Sequence, residues 1–398
     1  MLKVLVLSHM FPRPHHTVGG IFVMEQVQAL RRQGIDARVL SGDPYWVTKL
    51  KPSGLIGYAR AWRHANLHWQ WQDCVGVPVV FFPYLAGGLF RPWLHSWTYE
   101  FGLRSVLAEI RKSFCFDIIH AHTAYLDGNA GLHARSVANT PLVITEHTGP
   151  FSLLTNHPLK KLVTRRAVKG ADRILAVGKS LQRDMQKELK LDKNVIDVLS
   201  NGYDNRIFQL GSLQGYKRKE VRALWVGHFV KVKRIDRLID AFDKIAYQAP
   251  FLTISLIGDG EGLKQAKQEV ERRRFQKRIL FLDKSDRNGV ASAMREHDFL
   301  VVASEVETFS LVTVEAFASG LPVLSTRCGG PEGLIIEPGL GRLVSNDVDG
   351  LASGLLEMYR QIDTFDRHYI ADVAARNYSW DSVASKLAEL YGELVYSA

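Results

Sequence analysis

Only three cysteines occur in 398 residues, and Cys74, Cys115 and Cys328 are too scattered for a disulfide framework or a structural zinc site. That scarcity fits a reducing compartment. Long apolar runs are missing as well. The longest stretch without a charged residue, Cys74 to Phe90, is 17 residues and holds Pro78, Pro83 and three glycines, which makes a poor spanning helix. The opening MLKVLVLSHM is apolar only as far as Ser8 and reads as a β-strand, not a signal peptide. Acidic residues are scarce in one half only. Residues 1–200 carry 25 Lys and Arg against 14 Asp and Glu, and residues 201–398 carry 26 against 27. The formal charge of +10 therefore belongs to the first half, which also holds six of the eight tryptophans (Trp46, Trp62, Trp69, Trp71, Trp93 and Trp97). With 46% hydrophobic and 23% charged residues, the composition is globular, and the length suggests two or three domains.

Strand-like runs alternate with amphipathic stretches. In the first half these are KVLVL (3–7), a helix at 21–34, ARVLSG (37–42), DIIHAH (117–122), a helix to about Ala138, PLVITEH (141–147), a helix at 158–170 and DRILAVG (172–178). The rhythm restarts after the polar stretch 210–220. It continues as RALWVGHF (222–229), a helix at 234–247, LTISLIGDG (252–260), a helix at 261–273, ILFLD (279–283), DFLVVAS (298–304), a helix at 309–319 and PVLST (322–326). Val/Ile/Leu strands alternating with helices predict parallel sheets covered on both faces. The expected architecture is α/β with two doubly wound, Rossmann-like domains, 1–200 and 201–375, and a linker at about 200–220. Ligands on such sheets bind at the carboxyl ends of the strands, so the site is expected in the cleft between the halves.

Residues 304–333, SEVETFSLVTVEAFASGLPVLSTRCGGPEG, carry the most chemistry. A strand ends at Ser304 and a helix is predicted from Phe309, with Thr308 as a candidate cap. The backbone N–H groups of Phe309, Ser310 and Leu311 then form an anion site at a positive helix end. Glu307 precedes that end and Glu315 follows eight residues later, about 12 Å at helical rise. The paired carboxylates of glycosidases stand closer, at roughly 5–9.5 Å. A wider pair around an anion site suits an extended ligand with hydroxyls at its ends and phosphate between, as in a nucleotide sugar.

This segment resembles the retaining, GT-B-fold glycosyltransferases of family 4 (glycosyl transferases group 1). Their pattern E-x-F-G-L-x-x-x-E-A-x-A-x-G-x-P-V stands here as Glu307, Phe309, Ser310, Leu311, Glu315, Ala316, Ala318, Gly320, Pro322 and Val323, with Ser310 in place of the usual glycine. The resemblance implies that Glu307 holds the donor sugar, Glu315 the ribose, and the amides at 309–311 the phosphates and sugar. A second match, VGHFVKVKRIDRLIDAF (226–242), places Lys233 at the family's diphosphate lysine and His228 where arginine is usual. Electrostatic stabilisation of a leaving diphosphate is worth several kcal/mol, so His228 either acts when protonated or is assisted by Lys231 or Arg234. Further matches are NGYD (201–204), GDGEGL (258–263), whose Gly258 turn faces the nucleotide in the family, and YSWDSVASKLAELY (378–391). The last resembles a closing helix that returns to the N-terminal domain, so residues 376–398 are expected to pack there.

In the first half, Gly19 and Gly20 precede the helix at 21–33, where glycine would let the backbone approach a phosphate or sugar. The spacing lacks G-x-G-x-x-G, which argues against NAD. His120 and His122 share a strand face and His147 ends the next strand, but no Glu or Cys completes a metal spacing. His122 matches the family's cleft histidine, which implies contact with the donor sugar. Glu146 and His147 are candidate acceptor-side residues. The Trp-rich segments 45–71 and 81–99, with Lys49, Lys51, Arg60, Arg63 and Arg91, and the run Lys160, Lys161, Arg165, Arg166 and Lys169 suggest docking on an anionic membrane surface.

The expected activity is transfer of a sugar from a nucleotide-diphosphate sugar to a hydroxyl acceptor, with Glu307, His122 and Lys233 as catalytic residues. Neither cofactor nor metal is expected. The acceptor is expected to be a lipid-linked or saccharide precursor, and the location cytoplasmic, peripheral on the inner membrane face. Two rivals share the sequence features: a nucleotide-sugar 2-epimerase, and a non-catalytic nucleotide-sugar-binding protein. No nucleic-acid motif accompanies the positive charge.

Overall fold

Short runs of Val, Ile and Leu with no polar alternation can be buried only if both faces of the sheet are covered, and they are. In the computed structural model, four of the five residues of β1 (Lys3–Leu7) are buried, and all five of β5 (Ile118–His122) and β6 (Leu142–Glu146) are. The structure describes residues 1–13, 19–47, 52–87, 94–192, 194–211 and 220–396. Lys49, Lys51, Arg91, Trp93 and residues 212–219 of the expected linker lie outside the described residues.

The chain forms two units. The first comprises Met1–Val177, Leu181–Ser200 and Val383–Ala398, and the second Gly178–Ser180 and Asn201–Ser382. In the first, β1, β5 and β6 are joined by β2 (Asp36–Trp46), β3 (Gln72–Cys74), β4 (Val77–Ala86), β7 (Arg173–Ala176) and β8 (Asp197–Val198). The strand order is β3-β4-β2-β1-β5-β6-β7-β8, parallel except for the β3–β4 hairpin. The order changes direction between β1 and β5, so the loops leaving those two strands frame the point where such sheets receive ligands.

Hydrophobic periodicity assigns no element between residues 43 and 116. The structure places β3, β4 and two helices there, Pro52–Leu67 and His95–Ser113, and extends β2 to Trp46. Aromatic and proline residues obscure the pattern. Pro83 is accommodated in β4 because β3 pairs only with Val77–Val79, leaving that side of the strand without a paired neighbour beyond Val79 among the described residues.

The second unit holds β9 (Val221–Val226), β10 (Leu252–Ile257), β11 (Ile279–Leu282), β12 (Phe299–Val302), β13 (Val323–Thr326) and β14 (Gly341–Val344) in the order β11-β10-β9-β12-β13-β14. All pairings are parallel, and the direction changes between β9 and β12. A helix at Ile235–Ile245, with Leu238, Ile239, Phe242 and Ile245 at helical spacing, covers one face over Trp225, Ile254 and Leu256.

The expected boundary at 375 moves to 382. Tyr203 N–H donates to Tyr378 O, Trp380 N–H donates back to Tyr203 O, and Gly202 lies against the Trp380 ring, which ties 376–382 to the second unit. Residues 383–396 belong to the first unit, where the Tyr391 hydroxyl meets His120 Nδ1 at 2.6 Å.

Candidate active site

The expected site residues fall into two groups, one in each unit, and each lies at the direction change of its sheet. In the second unit the loop after β9 carries Lys233 and the loop after β12 carries Glu307. Lys233 Nζ donates to Glu307 Oε1 at 2.5 Å, and the Ser304 hydroxyl donates to the same oxygen at 2.7 Å. Oε2 takes no hydrogen bond among the described residues. The side chains are 26% and 12% exposed, so this ion pair is only partly screened by water.

The Gly-Gly-Pro-Glu loop fixes the Glu307 backbone. Glu307 N–H donates to Cys328 O and Gly330 N–H donates to Glu307 O, both at 2.7 Å, while Gly329 N–H donates to Glu332 Oε1 at 3.0 Å. A side chain on Gly330 would strike the Phe309 backbone, its Cβ only 2.6 Å from the carbonyl carbon and oxygen. The loop after β13 thus holds the loop after β12 in place.

The helix begins later than expected, at Leu311, and runs to Ala318. Ser310, not Thr308, is its N-cap residue, at φ 72 and ψ 72, with no side-chain capping bond to the backbone. Its hydroxyl pairs instead with Thr313 Oγ1 at 2.8 Å. That left-handed conformation explains why glycine would suit the position. Helical rise therefore does not measure the path from Glu307 to Glu315, since only 311–318 is helical. Glu315 is buried, and Arg287 lies 3.5 Å from its Oε1.

His228 has a carboxylate partner of its own. Its Nδ1 lies 2.6 Å from Asp259 Oδ1, and Lys284 Nζ donates to Asp259 Oδ2 at 2.5 Å. Lys284 first and His228 second hold the Asp259 carboxyl below its ordinary range. Arg234 is committed to Asp236 at 3.0 Å and Glu305 at 2.8 Å. Gly258 stands at φ 152, and a Cβ there would lie 1.8 Å from Gly227 O. The Gly-Asp-Gly turn thus packs directly on the loop that leads to His228.

In the first unit, His122 and His147 meet. His122 Nδ1 and His147 Nε2 are 3.0 Å apart, and the rings stack at 5.2 Å between centroids. Burial drives both imidazoles toward the neutral form, His147 down to about 3 and His122 well below its ordinary value. His122 Nε2 and His147 Nδ1 are buried and meet no hydrogen-bond partner among the described residues. His120 is instead saturated by Tyr391 and Thr145.

Two expectations change. Glu146 is fully buried; Oε2 accepts from Ala124 N–H, and Oε1 from His147 and Thr148 N–H, at 2.8–2.9 Å. It braces the backbone on either side of His147 and presents no oxygen to an acceptor. Gly20 takes φ 76, and a Cβ there would sit 2.2 Å from Met10 O, so the glycine serves contact with its own loop. Gly19 lies in the same turn. Motif spacing also missed several partners. These are Ser304 on Glu307, Arg287 beside Glu315, Asp259 beneath His228, and a set centred on Asp127 with His9, Tyr99 and Thr123. Among the described residues, no group of three His, Cys, Asp or Glu side chains is placed to hold a metal ion.

Two parallel-sheet, Rossmann-like units are the architecture of the GT-B fold. Residues 214–367 match the family described as glycosyl transferases group 1, and residues 19–206 match glycosyltransferase family 4. Together the matched stretches span most of the chain and support a group 1 glycosyltransferase. The chain is 28% identical to the N-acetyl-alpha-D-glucosaminyl L-malate synthase of Bacillus anthracis over 66% of its own length and 70% of the relative's. It is also 28% identical to the phosphatidyl-myo-inositol mannosyltransferase of Mycobacterium tuberculosis, over 69% and 73% of the two chains. Among solved structures it resembles Anabaena HepE in complex with UDP, with a TM-score of 0.73, 18% identity and coverage of 99% and 100%.

Proposed function

We propose that this glycosyltransferase moves a hexose-type sugar from a nucleoside diphosphate sugar to a hydroxyl acceptor with retention at the anomeric carbon. The observation that carries this reading is the Lys233–Glu307 pair, 2.5 Å apart at the direction change of the second sheet. Glu307 Oε2 is left to accept hydrogen bonds from sugar hydroxyls. Lys233 and the backbone N–H groups at Phe309, Ser310 and Leu311 meet the negative charge that develops on the departing diphosphate, which removes the need for a metal. Glu315 takes the ribose. HepE was solved with UDP, so UDP-sugars head the donors to be screened.

In the first unit, His122 contacts the donor sugar and His147 lies on the acceptor side. The acceptor proposed is a lipid-linked or saccharide precursor of a surface polysaccharide or glycolipid, at the cytoplasmic face of the membrane. Exposed Leu55, Ile56, Arg60, Arg63 and Leu67 on Pro52–Leu67, and Leu162, Arg165, Arg166 and Lys169 on Pro158–Gly170, support that location. Lys and Arg near anionic lipid gain about 1 kcal/mol each. No helix among the described residues is long and apolar enough to cross a membrane.

The test begins with nucleotide sugars screened for binding and turnover. Glu307→Ala should reduce transfer by at least about 100-fold with the fold intact, and full turnover by the variant would overturn the role of Glu307. Isomerisation of a nucleotide sugar with no acceptor present would point instead to an epimerase. Vesicles of anionic lipid should co-sediment the protein at low salt and release it at high salt; neutral vesicles binding equally well would remove the charge argument.

A further inference from the structure

Lysine carries its ammonium on a long flexible stem, so where that charge sits depends on what holds the backbone beneath it. Lys233 ends a short 3-10 turn, Lys231–Lys233, in the second unit. The next residue, Arg234, stands at φ 48 and ψ 46 and makes no side-chain capping bond to the helix Ile235–Ile245 that it opens. This left-handed conformation is costly for a residue with a side chain and persists only where its surroundings impose it.

Glu305, in the loop after β12, is the group on which those surroundings converge. Arg234 Nη1 donates to Glu305 Oε2 at 2.8 Å, while Nε and Nη2 donate to the Asp236 carboxylate at 3.0–3.2 Å. Arg237 Nη2 donates to the same Glu305 oxygen, also at 2.8 Å. Glu305 N–H donates to Val232 O at 2.8 Å, inside the turn itself. The loop after β14 joins through Asn346, whose Oδ1 accepts from Arg237 and whose Nδ2 donates to Glu305 O at 3.2 Å. The Arg237 side chain is only 7% exposed, and a guanidinium that deep needs a carboxylate partner. Arg234 first and Arg237 second hold the Glu305 carboxyl below its ordinary range.

One glutamate thus ties together the loops after β9, β12 and β14. The pair that carries the proposed chemistry spans the first two of them, with Lys233 Nζ 2.5 Å from Glu307 Oε1. We propose that Glu305 is a positioning residue for Lys233: by gripping Arg234, Arg237 and the Val232 carbonyl, it holds the turn so that the Lys233 ammonium meets the donor diphosphate. This rests on the reading of the chain as a nucleotide-sugar transferase. Glu305 acts through the lysine and touches neither sugar nor phosphate.

The test is a double-mutant cycle. It measures kcat/KM for the nucleotide sugar turned over in the screen, in wild type, Glu305→Gln, Lys233→Ala and the double variant, at a temperature below every Tm. Glu305→Gln keeps the shape of the side chain and removes its charge, and should lose about 10-fold or more. In the Lys233→Ala background the same substitution should cost no more than about 2-fold, because the lysine it positions is gone. Where the lysine variants turn over too slowly to follow, the cycle is read in the dissociation constant of the same nucleotide sugar, with the same pattern expected. If Glu305→Gln does not fold, Glu305→Asp, which keeps the charge and shortens its reach, takes its place. A glutamate variant with wild-type kcat/KM, or an equal loss with and without Lys233, overturns this proposal and leaves the transferase reading standing. A wild type that neither binds nor turns over any nucleotide sugar overturns that reading, and this proposal with it.

Discussion

Burial turns three ordinary histidines into acid-sensitive elements of the fold. His120, His122 and His147 are all held neutral, His120 and His147 with values pushed down to about 3. In the unfolded chain each would titrate near 6.5. Their contribution to stability is therefore full above that value and is lost as pH falls, because the unfolded chain takes up protons that the folded chain refuses. His120 alone should remove about 2 kcal/mol by about pH 5. Urea midpoints at neutral and acid pH would check this. His120→Asn should flatten the decline; an equally steep loss in that variant would show that the buried ring is not its source.

At the scale of elements, the loops leaving the strand ends act as interlocked pieces. The turn at Gly258 is the tightest, with a Cβ at that position meeting Gly227 O at 1.8 Å. Gly258→Ala should cost about 2 kcal/mol or more, seen as a lowered Tm, and should weaken nucleotide-sugar binding by displacing the His228–Asp259 pair. A variant with unchanged Tm would mean that the turn relaxes freely. The strands themselves were legible because Val/Ile/Leu runs have few other ways to be buried, and the Glu307–Glu315 spacing was legible because it is local. The helix start was misplaced by two residues because Ser310 takes a conformation its side chain does not advertise. The Asp127 set was invisible for another reason. Residues 9, 99, 123 and 127 come together only through the strand order, and no spacing along the chain announces it. Glu146 erred in the opposite direction, since a polar residue ending a strand looks like a ligand until its oxygens are found occupied by backbone N–H groups.

For the molecule as a whole, the first unit is discontinuous in sequence. Val383, Ala384, Leu387 and Tyr391 are fully buried in the segment that belongs to it, and Tyr391 supplies the partner of His120. Removing residues 383–398 should strip that cover and destabilise the first unit while the second, complete by Ser382, keeps its cooperative unfolding. Calorimetry or limited proteolysis of the truncated chain would show one transition or one protected fragment from the second unit. Equal loss in both units would show that they do not unfold separately.

The same discontinuity governs the order of events on the ribosome. Residues 1–200 are made before the second unit begins, yet the segment from Val383 that supplies the Tyr391 partner of His120 is made only after Ser382. Every residue of the second unit therefore precedes the cover of the first, and the half begun first is the half completed second.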